Sequence, residues 1–272
     1  MTTGPSNAWQ NAAVHQLRLF FTALQFFTRV PIPRWVGFAP EWLNHCTRYY
    51  PLVGLLVGVV AAMVYALAAQ WWPVPVAVLL STVSTVYLTG AFHEDGFADV
   101  CDGVGGGLTR ERAFEIMKDS RIGAYGTVGI LLLLAVKCAA LAGLPGIVAA
   151  VGALLVGHPV SRLFSAALIW RMEYAKEEGK AKPLGHRMSN SEFAVAAITG
   201  AVVLLLTGAM GWLSWSSLLA GVLLAALATL WLARLFRRRL GGYTGDCLGA
   251  VQQLSEAFFY LGVLAFSASG QA

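Results

Sequence analysis

Charge is what this chain has least of. Of 272 residues only 12% are Asp, Glu, Lys or Arg, where a soluble domain carries roughly 25%. With 57% hydrophobic residues and a mean hydropathy of +0.66, little is left for a separate soluble domain. The chain reads as one all-α integral membrane domain, residues 1–272. Cysteine pairing is also missing: Cys46, Cys101, Cys138 and Cys247 are scattered with no CxxC spacing, which excludes a disulfide framework and a structural zinc site. Residues 1–13 are polar and lack the charged and apolar regions of a secretory leader. The net charge of +5 does not indicate nucleic acid, because basic residues in a membrane protein set orientation.

What is abundant is apolar sequence in runs long enough to cross a bilayer, about 20 residues each. Seven spans are expected, near 51–70, 74–92, 123–143, 147–170, 193–212, 217–235 and 249–267. Three connections, "WWP" (71–73), "LPG" (144–146) and "WLSWS" (212–216), are short and hold no charge. The others, 93–122, 171–192 and 236–248, are long and charged. All Lys and Arg except Lys137 and Arg162 lie in the N-terminal segment, in the long connections or, for Arg234, at the end of a span abutting one. This asymmetry predicts that residues 1–50 and the long connections face the cytoplasm. Trp71, Trp72, Trp212 and Trp215 then form an aromatic belt at the opposite interface. Residues 14–30 are apolar but carry Arg18 and Arg29, as a helix lying along the membrane would. The polar stretch 173–192 is expected to be a mobile linker, and the "RLFRRR" cluster (234–239) an anchor on anionic lipid.

The acids cluster on the charged side. "HEDGFADVCDG" (93–103) places Glu94, Asp95, Asp99 and Asp102 directly after the second apolar run. If that run continues as helix through 102, Asp95, Asp99 and Asp102 share one face within about 60°, and Glu94 points elsewhere. Unpaired carboxylates on one stripe repel, and a divalent cation relieves that. All-oxygen ligation favours Mg2+, Mn2+ or Ca2+ over zinc. The competing reading is a solvated helix end paired with Arg110, Arg112, Lys118 and Arg121. Gly96, Gly103 and the run Gly105-Gly106-Gly107 favour close ligand approach and a loop with N–H groups free for phosphate. Thr109 is a candidate N-cap of a helix ending near Arg121. Asp119 is a further candidate ligand or proton acceptor, and Lys118 and Arg121 are candidate phosphate binders. Surface ion pairing competes evenly for Asp119 and Arg121, and is the better reading for Arg110 and Arg112.

Inside the spans, ionisable residues mark function. Arg162 is read as an anion partner, His158 as packed and Lys137 as snorkelling. Asp246 stands at the mouth of the last span, and Gln252, Gln253 and Glu256 form an interior-facing polar stripe. Arg29 and Arg48 are weaker candidates for substrate binding.

Five segments in order, "FFTRVPIP" (26–33), "YYPLVGLLVG" (49–58), "TGAFHEDGFADVCDGVGGG" (89–107), "IMKDSRIGAYGTVG" (116–129) and "GDCLGAVQQLSE" (245–256), resemble the cobalamin synthase family. The resemblance implies transfer of α-ribazole, or its 5′-phosphate, onto adenosylcobinamide-GDP with release of GMP. It further implies Mg2+, an inner-membrane location, a cytoplasmic site and other enzymes of the same pathway as candidate partners. Glu94 stands where that family usually has an apolar residue. Two other readings are a CDP-alcohol phosphotransferase, whose D-x2-D-G-x2-A-R core is not met, and a magnesium channel. The channel requires polar groups on both sides of the membrane, and the outer half has almost none.

Overall fold

The computed structural model describes residues 5–175 and 188–267. Most of the expected linker at 173–192 therefore lies outside the described residues. Eleven α-helices are found among the described residues, and no strand apart from an isolated bridge between Tyr174 and Tyr243. They are α1 (Pro5–Phe27), α2 (Trp42–His45), α3 (Tyr50–Ala68), α4 (Val74–Thr89), α5 (Phe92–Gly106), α6 (Arg110–Lys118), α7 (Ala124–Ala142), α8 (Gly146–Arg171), α9 (Asn190–Ala209), α10 (Trp215–Leu240) and α11 (Gly245–Ser267). Six segments are long and apolar enough to cross a membrane: Trp42–Ala68, α7, α8, α9, α10 and α11. The pair α4–α5 makes a seventh only if a bend of 89° is allowed within one span.

That bend is the main departure from the sequence reading. The second apolar run does not continue as a straight helix into the acidic stretch. Gly90 closes α4 in the left-handed conformation (φ 67°). Its N–H donates to the Tyr87 carbonyl (3.2 Å), and the Ala91 N–H donates to Val86 (2.9 Å), a Schellman-type stop. Ala91 is also left-handed (φ 58°), and α5 starts afresh when the Asp95 N–H finds the Ala91 carbonyl. The result is an acidic helix turned across the bundle rather than extending it.

Antiparallel packing joins the long helices through small residues. A side chain added at Gly54 of α3 would sit 2.6 Å from the His158 carbonyl of α8, and one at Gly58 would sit 2.9 Å from that of Leu154. Lipid tails are as apolar as leucine, so backbone proximity and internal polar contacts must supply the helix association. The outward faces of α4, α7, α9 and α10 accordingly expose Leu79, Leu131, Leu205 and Leu223. The α3–α8 register and the contact of Gly152 with Trp212 gather the three short connections at one end. The long connections are at the other, and Trp71, Trp72 and Trp215 are exposed at the short-connection end. α1 is not among the spanning helices. It buries Leu19, Ala23, Leu24 and Phe27 while Leu17 faces outward, as the expected surface helix does.

Candidate active site

The site is built on α5 because that helix is held on three sides. It crosses α11 where Gly96 meets Gly249. A side chain at Gly96 would stand 3.0 Å from the Asp246 carbonyl, and one at Gly249 would stand 3.0 Å from that of His93. Farther along, Gly103 and Gly107 receive α6, the latter with room for nothing larger than hydrogen against Ala113. Arg239, from the basic end of α10, donates to the Gly107 carbonyl. The glycines thus serve helix crossing. Gly105 and Gly106 are the last two residues of α5, not a phosphate-cradling loop, and both are exposed at the helix end.

Helical geometry puts Asp95, Asp99 and Asp102 on α5 at the expected spacing, but burial sorts them. Asp95 is exposed, Asp99 half-buried and Asp102 8% exposed. Asp102 has a defined partner: its two oxygens accept the N–H groups of Gly123 (2.7 Å) and Gly126 (2.8 Å). Gly123 is the N-cap position of α7 and has no side chain to cap with. Asp102 supplies that cap from the neighbouring helix, where the dipole favours a negative charge. The Asp95 carboxylate has no hydrogen-bond or ion-pair partner among the described residues. No group of three His, Cys, Asp or Glu residues there is close enough to hold a metal ion. What the geometry offers a hard cation is the one-turn pair Asp95 and Asp99. This suits an ion bound by one or two carboxylates and completed by water and phosphate oxygens.

The connection after α5 is tighter than expected. Thr109 caps α6, accepting the Arg112 N–H (3.2 Å), and α6 ends at Lys118 rather than near Arg121. Lys118 is exposed. Asp119 and Arg121 form an exposed pair at 2.6 Å. The Arg121 guanidinium, hydrogen-bonded to both oxygens, holds the Asp119 carboxyl down at about 2. That makes Asp119 a poor proton acceptor at neutral pH. Arg112 pairs with Glu115 (2.9 Å), and Arg110 donates to the Ala175 carbonyl (2.7 Å), as the surface reading of both expects.

Beneath α5 lies a buried ionic network. Glu256 of α11 is fully buried and pairs with Lys137 of α7 at 2.5 Å and His158 of α8 at 3.0 Å. Gln252 donates to it at 2.6 Å, Ser161 at 3.3 Å and Tyr260 at 3.3 Å. Gln253 carries the network to α5 by donating to Glu94 (2.8 Å). The interior-facing stripe of α11 is therefore real, and Glu94 leaves the Asp stripe by pointing inward. Lys137 is 4% exposed; it does not snorkel, because a carboxylate on α11 is nearer than any interface. Arg162 is 2% exposed and donates to the His158 carbonyl (3.1 Å). Arg48 is drawn to Glu192 (2.5 Å), which His45 also meets (2.7 Å). It pins the N-terminal segment to α9. Arg29 spreads over the Tyr87 ring (5.6 Å) beside the Gly90 stop. Asp246 stands half-buried in the first turn of α11, next to the Thr244 hydroxyl.

A family model described as cobalamin-5-phosphate synthase matches residues 19–264, from the middle of α1 almost to the end of α11. The chain belongs to that family. It is 50% identical over 258 residues to the adenosylcobinamide-GDP ribazoletransferase of Leptothrix cholodnii, covering 93% of this chain and 97% of that one. It is 43% identical to the protein of the same name from Vibrio cholerae, covering 93% and 95%, and 45% identical to that of a Polaromonas species, covering 91% and 96%. No solved structure matches the chain. Within this member of the family, sequence reasoning passed over Ser161, Tyr260 and the inward role of Glu94. None carries a local signal, because their partners come from other helices.

Proposed function

We propose that this chain joins adenosylcobinamide-GDP to α-ribazole or its 5′-phosphate, giving adenosylcobalamin or its 5′-phosphate and GMP. Family membership supports the reaction class, and the observation that carries the site is the Asp95–Asp99 turn on a helix bent across the charged end of the bundle. A ribose hydroxyl attacks the phosphorus that bears the cobinamide arm. A new phosphorus–oxygen bond forms, the bridging bond to GMP breaks, and the hydroxyl proton passes to an α5 carboxylate. Asp119 is ill suited to take it, held as it is by Arg121. Asp95 and Asp99 would hold Mg2+, which, when bound, offsets the charge of a diphosphate. Asp102 fixes the α5–α7 corner so that both carboxylates keep their facing. Lys118 and Arg121, exposed beside this corner, are positioned to receive the anionic substrate. The excess of Lys and Arg on the long connections supports a bacterial inner-membrane location with this face toward the cytoplasm.

GMP release by the purified chain in lipid nanodiscs, measured chromatographically with both substrates, tests the reading. Turnover is expected with Mg2+, lost on chelation and restored by adding the ion back. Release that persists in excess chelator sinks the metal assignment. Absence of release under all metal conditions sinks the transferase reading.

A further inference from the structure

The helix that carries Asp95 and Asp99 rests on α11 through glycine. A side chain at Gly96 or at Gly249 would meet the opposing backbone at 3.0 Å. Such a crossing brings two backbones close without interlocking side chains. The roll of α5 about its own axis is then left to directional contacts on its flanks. Two of its carboxylates make such contacts. Asp102 accepts the N–H groups of Gly123 and Gly126. Glu94, in the first turn, accepts the Gln253 side-chain N–H at 2.8 Å. Glu94 and Gln253 are both buried, at 8% and 2% exposed. The Gln253 carbonyl oxygen in turn lies 3.5 Å from the Lys137 ammonium, which pairs with Glu256. The anchor therefore runs from α5 through α11 to α7. Glu94 and Asp102 are about 12 Å apart along the helix, and Asp95 and Asp99 stand between them.

We propose that Glu94 is a positioning residue: the hydrogen bond it accepts from Gln253 fixes the roll of α5, and so the direction in which Asp95 and Asp99 meet a divalent cation. The inference rests on the metal and transferase reading above. Asp95 follows Glu94 directly, so a roll that frees Glu94 from Gln253 carries the Asp95 carboxylate with it. At the helix surface, about 5–6 Å from the axis, a roll of about 20° moves a carboxylate by about 2 Å. Magnesium demands near-ideal octahedral geometry with oxygens at about 2.0–2.1 Å, so a shift of that size unmakes the pair. The competing role for Glu94 is counter-charge alone. Lys137 and Arg162 are buried cations near it, and Glu256 is a buried carboxylate of the same network. The two roles make opposite demands on the side chain. Positioning needs an acceptor oxygen at the right length, with or without charge. Charge balance needs the carboxylate, and tolerates a shorter arm.

The test compares two conservative variants of the full chain in nanodiscs. Glu94→Gln keeps the length and an acceptor oxygen and loses the charge. Glu94→Asp keeps the charge and falls one methylene short of Gln253. Two quantities are measured per folded protein. One is the Kd for Mn2+ without substrates, from the free-ion EPR signal. The other is the Mg2+ concentration that gives half-maximal GMP release. Glu94→Asp should raise both by about 10-fold or more, as for loss of a group that orients a metal ligand. Glu94→Gln should keep both within about threefold of wild type, since it retains the hydrogen bond. If Glu94→Asp does not accumulate, Gln253→Met, which removes the donor and keeps the length, decides by the same measurements. Wild-type values in Glu94→Asp overturn the assignment. A raised metal requirement in Glu94→Gln also overturns it, because charge is then the role of the residue. Poor accumulation of Glu94→Asp with a wild-type Mn2+ Kd in the folded fraction is a purely structural role and overturns it too. Wild-type protein that binds no Mn2+ and releases GMP in excess chelator fails the metal reading, and this assignment with it. Wild-type protein that binds Mn2+ no more tightly than Glu94→Asp fails the Glu94 assignment alone.

Discussion

Glu94 and Asp95 are consecutive residues with opposite surroundings. Glu94 is 8% exposed and tied through Gln253 to a buried lysine and glutamate, whereas Asp95, about 100° farther around the same helix, is exposed. The two belong to two acidic regions on adjoining flanks of α5. Below it, carboxylates are matched inside the protein by Lys137, His158 and donor side chains. Above it, the Asp95–Asp99 turn faces the charged end of the bundle. Buried charge that lacks a partner costs several kcal/mol, so the lower region is neutralised from within. In the upper region the Asp95 carboxylate is exposed and that of Asp99 half-buried. Identical side-chain chemistry is enclosed by partners inside the bundle or opens toward its charged end, and the difference is set by which neighbours the fold supplies.

The largest expected effect tests the upper region. Asp99→Asn and Asp95→Asn should each lower the GMP-release rate by at least about 100-fold, as for loss of a preorganised electrostatic group, with detergent melting temperatures close to wild type. Near-normal turnover in either variant would break the contrast. The lower region should show the reverse pattern. Lys137→Met leaves Glu256 buried with its closest cation gone and should cost about 3–5 kcal/mol, seen as poor accumulation or a sharply lowered melting temperature. Adding Glu256→Gln to it should recover much of that loss.

Asp102→Asn sharpens the boundary between the regions. It keeps one acceptor oxygen and sets an NH2 donor against the other backbone N–H, so it should cost about 1.5–3 kcal/mol, with faster amide exchange at Gly123 and Gly126. Activity should fall through movement of the α5–α7 corner. Gly90→Ala forces a side chain into left-handed backbone, and costs about 1–2 kcal/mol, besides displacing Arg29. The smallest effect is at the surface. Arg121→Gln should leave the melting temperature unchanged while the Asp119 carboxyl rises from about 2 toward its ordinary ~3.9, read by carboxyl NMR. Because the folded-state value is depressed, the pair's contribution is complete above the ordinary carboxylate range. It is lost as pH falls toward 2.

Several elements were legible because their causes are local. Spans α3, α7, α8, α9, α10 and α11 follow from apolar runs of bilayer length, and the Thr109 cap from a residue type at a helix start. The helical spacing of Asp95, Asp99 and Asp102 follows in the same way. The α4–α5 bend had a visible cue in Gly90, but an 89° turn depends on α11 and α6 being there to receive α5. Glycines read as ligand contacts are helix crossings, because close approach of a backbone looks the same in sequence whether it comes from a phosphate or another helix.

The sequence by itself determined an all-helical membrane chain, the segregation of charge to one end and the family to which the chain belongs. These depend on composition, period and ordered motifs, which need no long-range contact to be read. Only the tertiary structure decided that Lys137 pairs with Glu256, that Asp102 caps α7, and that Glu94 turns inward to Gln253. Those outcomes join residues from different helices, and a carboxylate or cation takes its role from the partner nearest in space.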